Sequence, residues 1–126
     1  PKIIDKAIRI FKKKKADIVT NTLERSFPKG QSVEVINSKI ILKNLKNVSN
    51  NKYDLEHITS YFYKNKKKFN ILNISLKKNL SNVNVSIDTH EDYEFVNKII
   101  KLSKDRFIGL NSIIKFIKKI KKRDKI

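Results

Sequence analysis

The segment Val83-Asn84-Val85-Ser86-Ile87-Asp88-Thr89-His90-Glu91-Asp92-Tyr93-Glu94 changes its period midway. Val83, Val85 and Ile87 alternate, which predicts a strand over 83–87. Tyr93, Val96 and Ile100 recur at helical spacing, which predicts a helix over 90–103. Thr89 stands at the junction, where it can cap that helix. Asp92, three residues on, approximates a capping box with Asp in place of Glu. Glu91, Asp92 and Glu94 also suit the positive end of the helix dipole. Capping accounts for Thr89, Glu91 and Asp92 without any function, but not for Asp88. A carboxylate just past a strand sits where open α/β sheets place their sites, and it suits a hard cation. Asp88 is the candidate metal ligand and catalytic residue; the alternative is a solvated carboxylate.

The same switching of period runs through the rest of the chain. Residues 1–15 predict an amphipathic helix, with Ile3, Ile4, Ala7, Ile8 and Phe11 at helical spacing. Pro1 suits its first turn, and four Lys close it at the negative end of the dipole. Residues 17–22 are β-prone. Residues 23–31 hold Pro28 and Gly30 and form a loop. Residues 32–37 alternate with Val33 and Val35 on one face, a strand. Ser38 then caps a short helix over 40–48, and 47–52 is a polar loop. A helix is predicted over 54–65, a strand over 69–75, and a last helix over 111–122. That last helix places Ile113, Ile114, Ile117 and Ile120 opposite five Lys. Helices and strands interleaved in this way argue for a layered α/β sheet rather than a bundle or barrel.

Composition narrows the chemistry. A chain of 126 residues is one domain's worth, and 39% hydrophobic content is enough for a core. No apolar run approaches the ~18–20 residues of a membrane-spanning helix, and no signal-peptide pattern opens the sequence. The reading is of a cytoplasmic protein. The absence of Cys excludes disulfides, thiolate metal sites and a Cys nucleophile. His57 and His90 are too far apart in sequence to suggest a histidine metal site. Two Gly cannot build G-x-G-x-x-G or a Walker A loop. A chain that opens at Pro1, contains no Met and begins with a helix reads as a fragment lacking an upstream strand.

The formal charge of +18 invites a nucleic-acid reading. However, 26 of the 30 basic residues are Lys, and Lys, Ile and Asn together make up 60 residues. That skew suits an A/T-rich genome, whereas nucleic-acid readers lean on the Arg fork. The charge is read as compositional bias on solvated faces, with no specific nucleic acid as partner. The alternative is a non-enzymatic basic module for RNA or another polyanion, which would show steep salt dependence and no nucleotide preference.

Two further segments carry chemistry. In Asn21-Thr22-Leu23-Glu24-Arg25-Ser26-Phe27-Pro28-Lys29-Gly30, an Arg on a loop between two strands can clamp a carboxylate or phosphate. A solvated loop Arg is the alternative. In Tyr53-Asp54-Leu55-Glu56-His57-Ile58-Thr59-Ser60-Tyr61-Phe62-Tyr63, Glu56 and His57 on a helix point about 100° apart and cannot both face a core. Tyr61 to Tyr63 beside Lys64 and Lys66 to Lys68 mimic a basic-aromatic surface for single strands. A core stripe beside a solvated Lys run explains them equally.

Taken together, the three segments resemble the cytidylyltransferases of bacterial surface-sugar synthesis. The likeness is to the spore coat polysaccharide biosynthesis protein F type, related to CMP-Kdo synthetase and acylneuraminate cytidylyltransferase. The family has Asn shortly before Arg, then Pro-x-Gly leading into Leu-Asp-Val-Glu-Val. Asn21, Arg25, Pro28, Gly30, Val33, Glu34 and Val35 match. Its Arg-Glu-His-Val-Thr-Pro and following aromatics are matched by Glu56, His57, Thr59, Tyr61 and Tyr63. Its Asp-Thr-Pro-Glu-Asp-Tyr/Phe-Glu is matched by Asp88, Thr89, Glu91, Asp92, Tyr93 and Glu94. The sequence departs at Gln31-Ser32, Leu55, Ser60 and His90. A degenerate, non-enzymatic member would suit the Ser32 and Leu55 departures.

The resemblance implies a Rossmann-like, GT-A-like nucleotide-diphospho-sugar transferase fold, with residues 1–126 as its partial, C-terminal half. It implies CTP and an acidic or surface-polysaccharide sugar as substrates, CMP-sugar and pyrophosphate as products, and Mg²⁺ as cofactor. Asp88 would hold the metal, together with an Asp upstream of this chain. Arg25, Glu34, Glu56, His57 and Asn21 would contact substrate. A homodimer is one assembly this leaves open. The gripping loop for the triphosphate would lie upstream, so the fragment alone is expected to be inactive.

Overall fold

The computed structural model describes residues 2–103 and 108–123, of which 121–123 are described by backbone only. Pro1, and with it the expected helix-opening proline, lies outside the described residues. The chain divides into two compact units, Pro1–Asn84 and Val85–Ile126.

The first unit is built on a mixed three-stranded sheet of β1 (Ile18–Thr20), β2 (Glu34–Ile36) and β3 (Ile71–Asn73), in the order β2-β1-β3. β2 runs antiparallel to β1, with Ile18 opposite Ile36 and Thr20 opposite Glu34. β3 runs parallel to β1, with Thr20 opposite Asn73. The central strand is wholly buried: Ile18, Val19 and Thr20 are each 0% exposed. All three strands fall inside the stretches read as β-prone or alternating, but each is shorter.

Helix α1 (Lys2–Lys14) packs on β1 and β2. Its inward stripe is Ile3, Ala7, Ile10 and Phe11, whereas Ile4 and Ile8 are 47% and 38% exposed. The stripe is therefore rotated from the expected one and centres on Ala7, whose small side chain permits close approach to the strands. Lys15 ends the helix at φ 47°, and the Ala16 amide donates to the Phe11 carbonyl at 3.2 Å. This is the six-to-one bond of a Schellman motif.

Helix α2 (Ser38–Ser49) starts at Ser38 instead of being capped by it. Asn37 is the cap, its Oδ1 accepting from the Lys39 amide at 3.0 Å. The helix also runs through the first half of the expected loop over 47–52. The single helix expected over 54–65 is two, α3 (Lys52–Glu56) and α4 (Ile58–Lys64), broken at His57. The break has a physical cause in Asp54, which is buried and takes the Lys64 ammonium at 2.6 Å. Ten residues along a straight helix would separate their Cα atoms by about 15 Å, so the bend is what brings them together. The Lys64 hydrogen bond holds the Asp54 carboxyl below the usual range against the opposing effect of its burial, and the Ser60 hydroxyl adds a second donor.

Ile18, Val48 and Phe62 form the centre of the core, ringed by Ile36, Ile40, Ile41, Phe69 and Ile71. Phe62 meets Phe69 edge-on at 4.9 Å. Full burial of one such ring contributes roughly 1.5–3 kcal/mol. Tyr61 and Tyr63 pack on this cluster, and Lys66–Lys68 form an exposed 3-10 turn. The aromatic run is thus a core stripe beside a solvated Lys run.

The strand expected over 83–87 does not form. Its ladder contact is an isolated bridge between Asn84 and Lys29, with the Lys29 amide donating to the Val83 carbonyl at 2.9 Å. The segment meets the loop after β1 instead of a sheet strand, and Ile87 is 56% exposed. Alternation without a partner strand does not make a strand.

In the second unit, α5 (His90–Leu102) packs against α6 (Leu110–Arg123). Ile99, Ile117 and Ile120 are buried. Tyr93 and Ile100, expected on the inward stripe of α5, are exposed; Phe95, Val96 and Ile99 face inward. On α6, Ile113 and Ile114 are half-buried and Lys115, Lys118 and Lys119 exposed, as the pattern predicts. Among the described residues no helix is long and apolar enough to cross a membrane.

Candidate functional site

The β1–β2 connection presents two of the candidate site residues, Asn21 and Arg25, and Asn21 organises it. Asn21 is buried, at 1% exposure. Its Nδ2 donates to the Gln31 carbonyl at 2.8 Å, and its Oδ1 accepts from the Val33 amide at 2.8 Å. Both ends of the amide are therefore spent closing the loop. Further clamps hold its far side. Asn73 accepts from the Glu24 amide and donates to the Glu24 carbonyl, and Ser26 Oγ accepts from the Leu76 amide. Gly30 takes φ 88°, a left-handed turn that favours glycine.

On this braced loop Arg25 is half-buried and directs Nη1 and Nη2 to one acceptor, the Ser32 hydroxyl, at 3.3 and 3.2 Å. Among the described residues no carboxylate lies within ion-pair distance of it. The guanidinium is fixed through a neutral oxygen and keeps its charge for an anion.

Glu34 is exposed, and its carboxylate gathers hydroxyls from two directions. Thr20 pairs with Glu34 across the ladder, so Thr22, two residues on, comes within reach. Thr22 Oγ1 donates to Glu34 Oε1 at 3.1 Å and lies 2.8 Å from Thr20 Oγ1. From the helical side, Thr59 and Tyr63 stand four residues apart on one face of α4. Thr59 Oγ1 donates to Glu34 Oε2 at 3.3 Å, and the Tyr63 hydroxyl donates to Oε1. Partial burial, with the Glu34 hydrogen bond adding to it, pushes the Tyr63 phenol above its ordinary value. Nothing in the linear pattern joins Glu34 to these hydroxyls. The one available signal is the four-residue spacing of Thr59 and Tyr63.

Glu56 and His57 sit at the break between α3 and α4. Both are exposed, and the His57 ring tilts against Tyr53 at 4.6 Å. His57 is the junction residue: its amide donates to the Tyr53 carbonyl and its carbonyl accepts from the Ser60 amide. The 100° separation of a continuous helix does not apply to this pair.

Asp88 belongs to the second unit and follows extended chain, not a strand. Thr89 caps α5 as expected: Thr89 Oγ1 accepts from the Asp92 amide at 3.2 Å, and Asp92 Oδ2 accepts from the Thr89 and Asp88 amides. Asp92 thus completes the box. The Asp88 carboxylate is exposed, and its Oδ2 accepts from Ser86 Oγ at 2.9 Å. Among the described residues no group of three or more His, Asp or Glu could hold a metal ion. As an exposed hard-oxygen donor, Asp88 fits one ligand position of a magnesium site, not a whole one.

No protein-family description matches the sequence, and no curated protein does. A solved structure does: a cytidylyltransferase from Leptospira borgpetersenii serovar Hardjo-bovis, 26% identical, with a TM-score of 0.83. The likeness covers 98% of this chain and 51% of that one, so the chain spans about half the length of the structure it resembles.

Proposed function

We propose that this chain is the C-terminal half of a cytidylyltransferase with a Rossmann-like, GT-A-like layered fold. It would work in the cytoplasm on a sugar destined for surface polysaccharide. The observation that carries the reading is the fold match to a cytidylyltransferase over nearly the whole chain. The three sequence segments, which point to the same activity independently, support it.

In the reaction, a sugar hydroxyl oxygen attacks the α-phosphorus of CTP. The new P–O bond forms as the bond to the β-phosphate bridging oxygen breaks. Pyrophosphate leaves with that electron pair, and the hydroxyl proton passes to solvent. The work of such a transfer is positioning and charge stabilisation. Arg25, held on the braced loop, supplies a fixed positive charge for an anionic group of the substrate. Glu34 offers a fixed acceptor for a sugar hydroxyl. Glu56 and His57 lie at the bend that leads into α4, the helix reaching Glu34, and would contact the sugar side. Asn21 acts through the loop it closes. Asp88 would hold Mg²⁺, which when bound supplies charge neutralisation at the phosphates.

The test is pyrophosphate release by the full-length protein, with Mg²⁺, CTP and a panel of sugar acids. CTP-dependent release that exceeds release from UTP, ATP and GTP is expected. No release from any nucleotide with any sugar would overturn the reading.

A further inference from the structure

We propose that Tyr63, together with Thr59 and Thr22, is a positioning residue that holds the Glu34 carboxylate to receive a hydroxyl of the bound sugar. The proposal deepens the transferase reading and rests on it for the class of ligand.

Lone pairs and fixed directions set what Glu34 can still accept. A carboxylate has about four acceptor positions. Oε1 is filled by Thr22 and Tyr63, and Oε2 takes Thr59. One position on Oε2 is left, on a side chain that is exposed and therefore reachable. The three donors come from independent elements. Thr22 is placed by the β1–β2 register, and its hydroxyl lies 2.8 Å from the Thr20 hydroxyl. Thr59 and Tyr63 are placed by the α4 period, and α4 is anchored in the core through Phe62. An exposed glutamate ordinarily samples many rotamers, and ordering it costs side-chain entropy. Here that ordering is complete before a ligand arrives. The result is a pre-aimed acceptor ringed by hydroxyls, which matches the hydroxyl-rich surface of a sugar and offers little to a base or an aromatic ring. The raised phenol of Tyr63 keeps its proton available as a donor throughout the neutral range.

The test uses the full-length protein and two sugar probes, N-acetylneuraminate and D-glucuronate, with binding followed by saturation-transfer NMR. Tyr63→Phe and Glu34→Gln should weaken the bound probe roughly tenfold or more, the worth of hydrogen bonding at a charged group. Thr59→Val should weaken it in the same direction, and Thr59→Ser, which restores the hydroxyl, should recover it. CTP affinity should stay within about twofold in every variant, as expected for a change confined to the sugar side. Spectroscopic titration of the tyrosines should show one late-ionising phenol that Tyr63→Phe removes and Glu34→Gln moves to lower pH. The proposal is overturned if the wild-type protein binds neither probe, or if the variants bind as wild type. Equal loss with Thr59→Val and Thr59→Ser, tracking a fall in melting temperature, also overturns it. Sugar binding through Glu34 without pyrophosphate release from CTP would sink the transferase reading alone.

Discussion

Asn21 shows how a single buried side chain can close a loop. Its two hydrogen bonds join the two ends of an eleven-residue excursion that carries Arg25. Asn21→Ala removes both partners and leaves the Gln31 carbonyl and the Val33 amide unpaired. Each buried orphan costs roughly 1–3 kcal/mol, so the substitution should destabilise by about 2–4 kcal/mol in chemical denaturation. Asp88 and Asp92 make the opposite pair. Asp92 Oδ2 accepts from two backbone amides at the start of α5, whereas Asp88 accepts a hydroxyl and is exposed. Asp92→Ala should therefore cost about 1 kcal/mol of stability through the lost cap. Asp88→Asn keeps an oxygen for Ser86 and should leave melting within about 0.5 kcal/mol of wild type. On the proposed transferase reading, Asp88→Asn in the full-length protein should lower kcat by roughly two orders of magnitude, the scale of a lost charge at a metal-assisted transfer. Parallel losses of activity and melting temperature in both variants would make the whole motif structural.

Local chemistry was readable from sequence at some element ends, though not at α2, where Asn37 and not Ser38 is the cap, and pairing was not. The Thr89–Asp92 box and the turn at Pro28–Gly30 are written in neighbouring residues, and both stand where spacing places them. The strand at 83–87 fails because a strand is a property of two segments, and its neighbour is Lys29 in a loop. The helix over 54–65 breaks because a contact ten residues long, Asp54 to Lys64, outweighs local propensity. Neither event follows from the apolar periodicity of its own segment, the signal from which both elements are predicted. The site divides the same way: Arg25 and Glu34 announce themselves by type, but their partners Ser32, Thr22 and Tyr63 are set by register. The α3–α4 bend also carries a pH signature. Asp54 titrates below its ordinary value of about 3.9. A depressed acid contributes stability above the unfolded value, and that contribution is lost as pH falls from there through the folded value. Melting temperature should therefore be flat with respect to this pair above about pH 5 and fall below about pH 4. Asp54→Asn should melt lower at pH 7 and show a weaker fall between pH 5 and 3. A variant whose acid limb matches wild type would remove Asp54 from that role.

At the scale of the whole molecule, the chain offers charged and hydroxyl side chains around the β1–β2 connection but few of the backbone donors that grip polyphosphates. Such grips use runs of amide N–H groups from glycine-rich turns or helix N-termini. Of the two glycines here, Gly30 is spent on the turn that returns β1 to β2, and Gly109 directly precedes α6. The +18 charge does not substitute for a cradle. Spread mostly over lysines on exposed faces, it attracts any polyanion and chooses none. The two contributions separate by salt. Calorimetry of residues 1–126 with Mg²⁺–CTP should give a dissociation constant in the millimolar range, equivalent to only about −4 kcal/mol. That weak affinity should fall steeply with salt and be matched by UTP and by inorganic triphosphate, because charge and not the cytosine would carry it. On the proposed transferase reading, the full-length protein should bind CTP more tightly, show a base preference and depend less on salt. Micromolar, salt-tolerant and cytosine-selective binding by residues 1–126 alone would place the nucleotide grip inside this chain and contradict the division of labour argued for it.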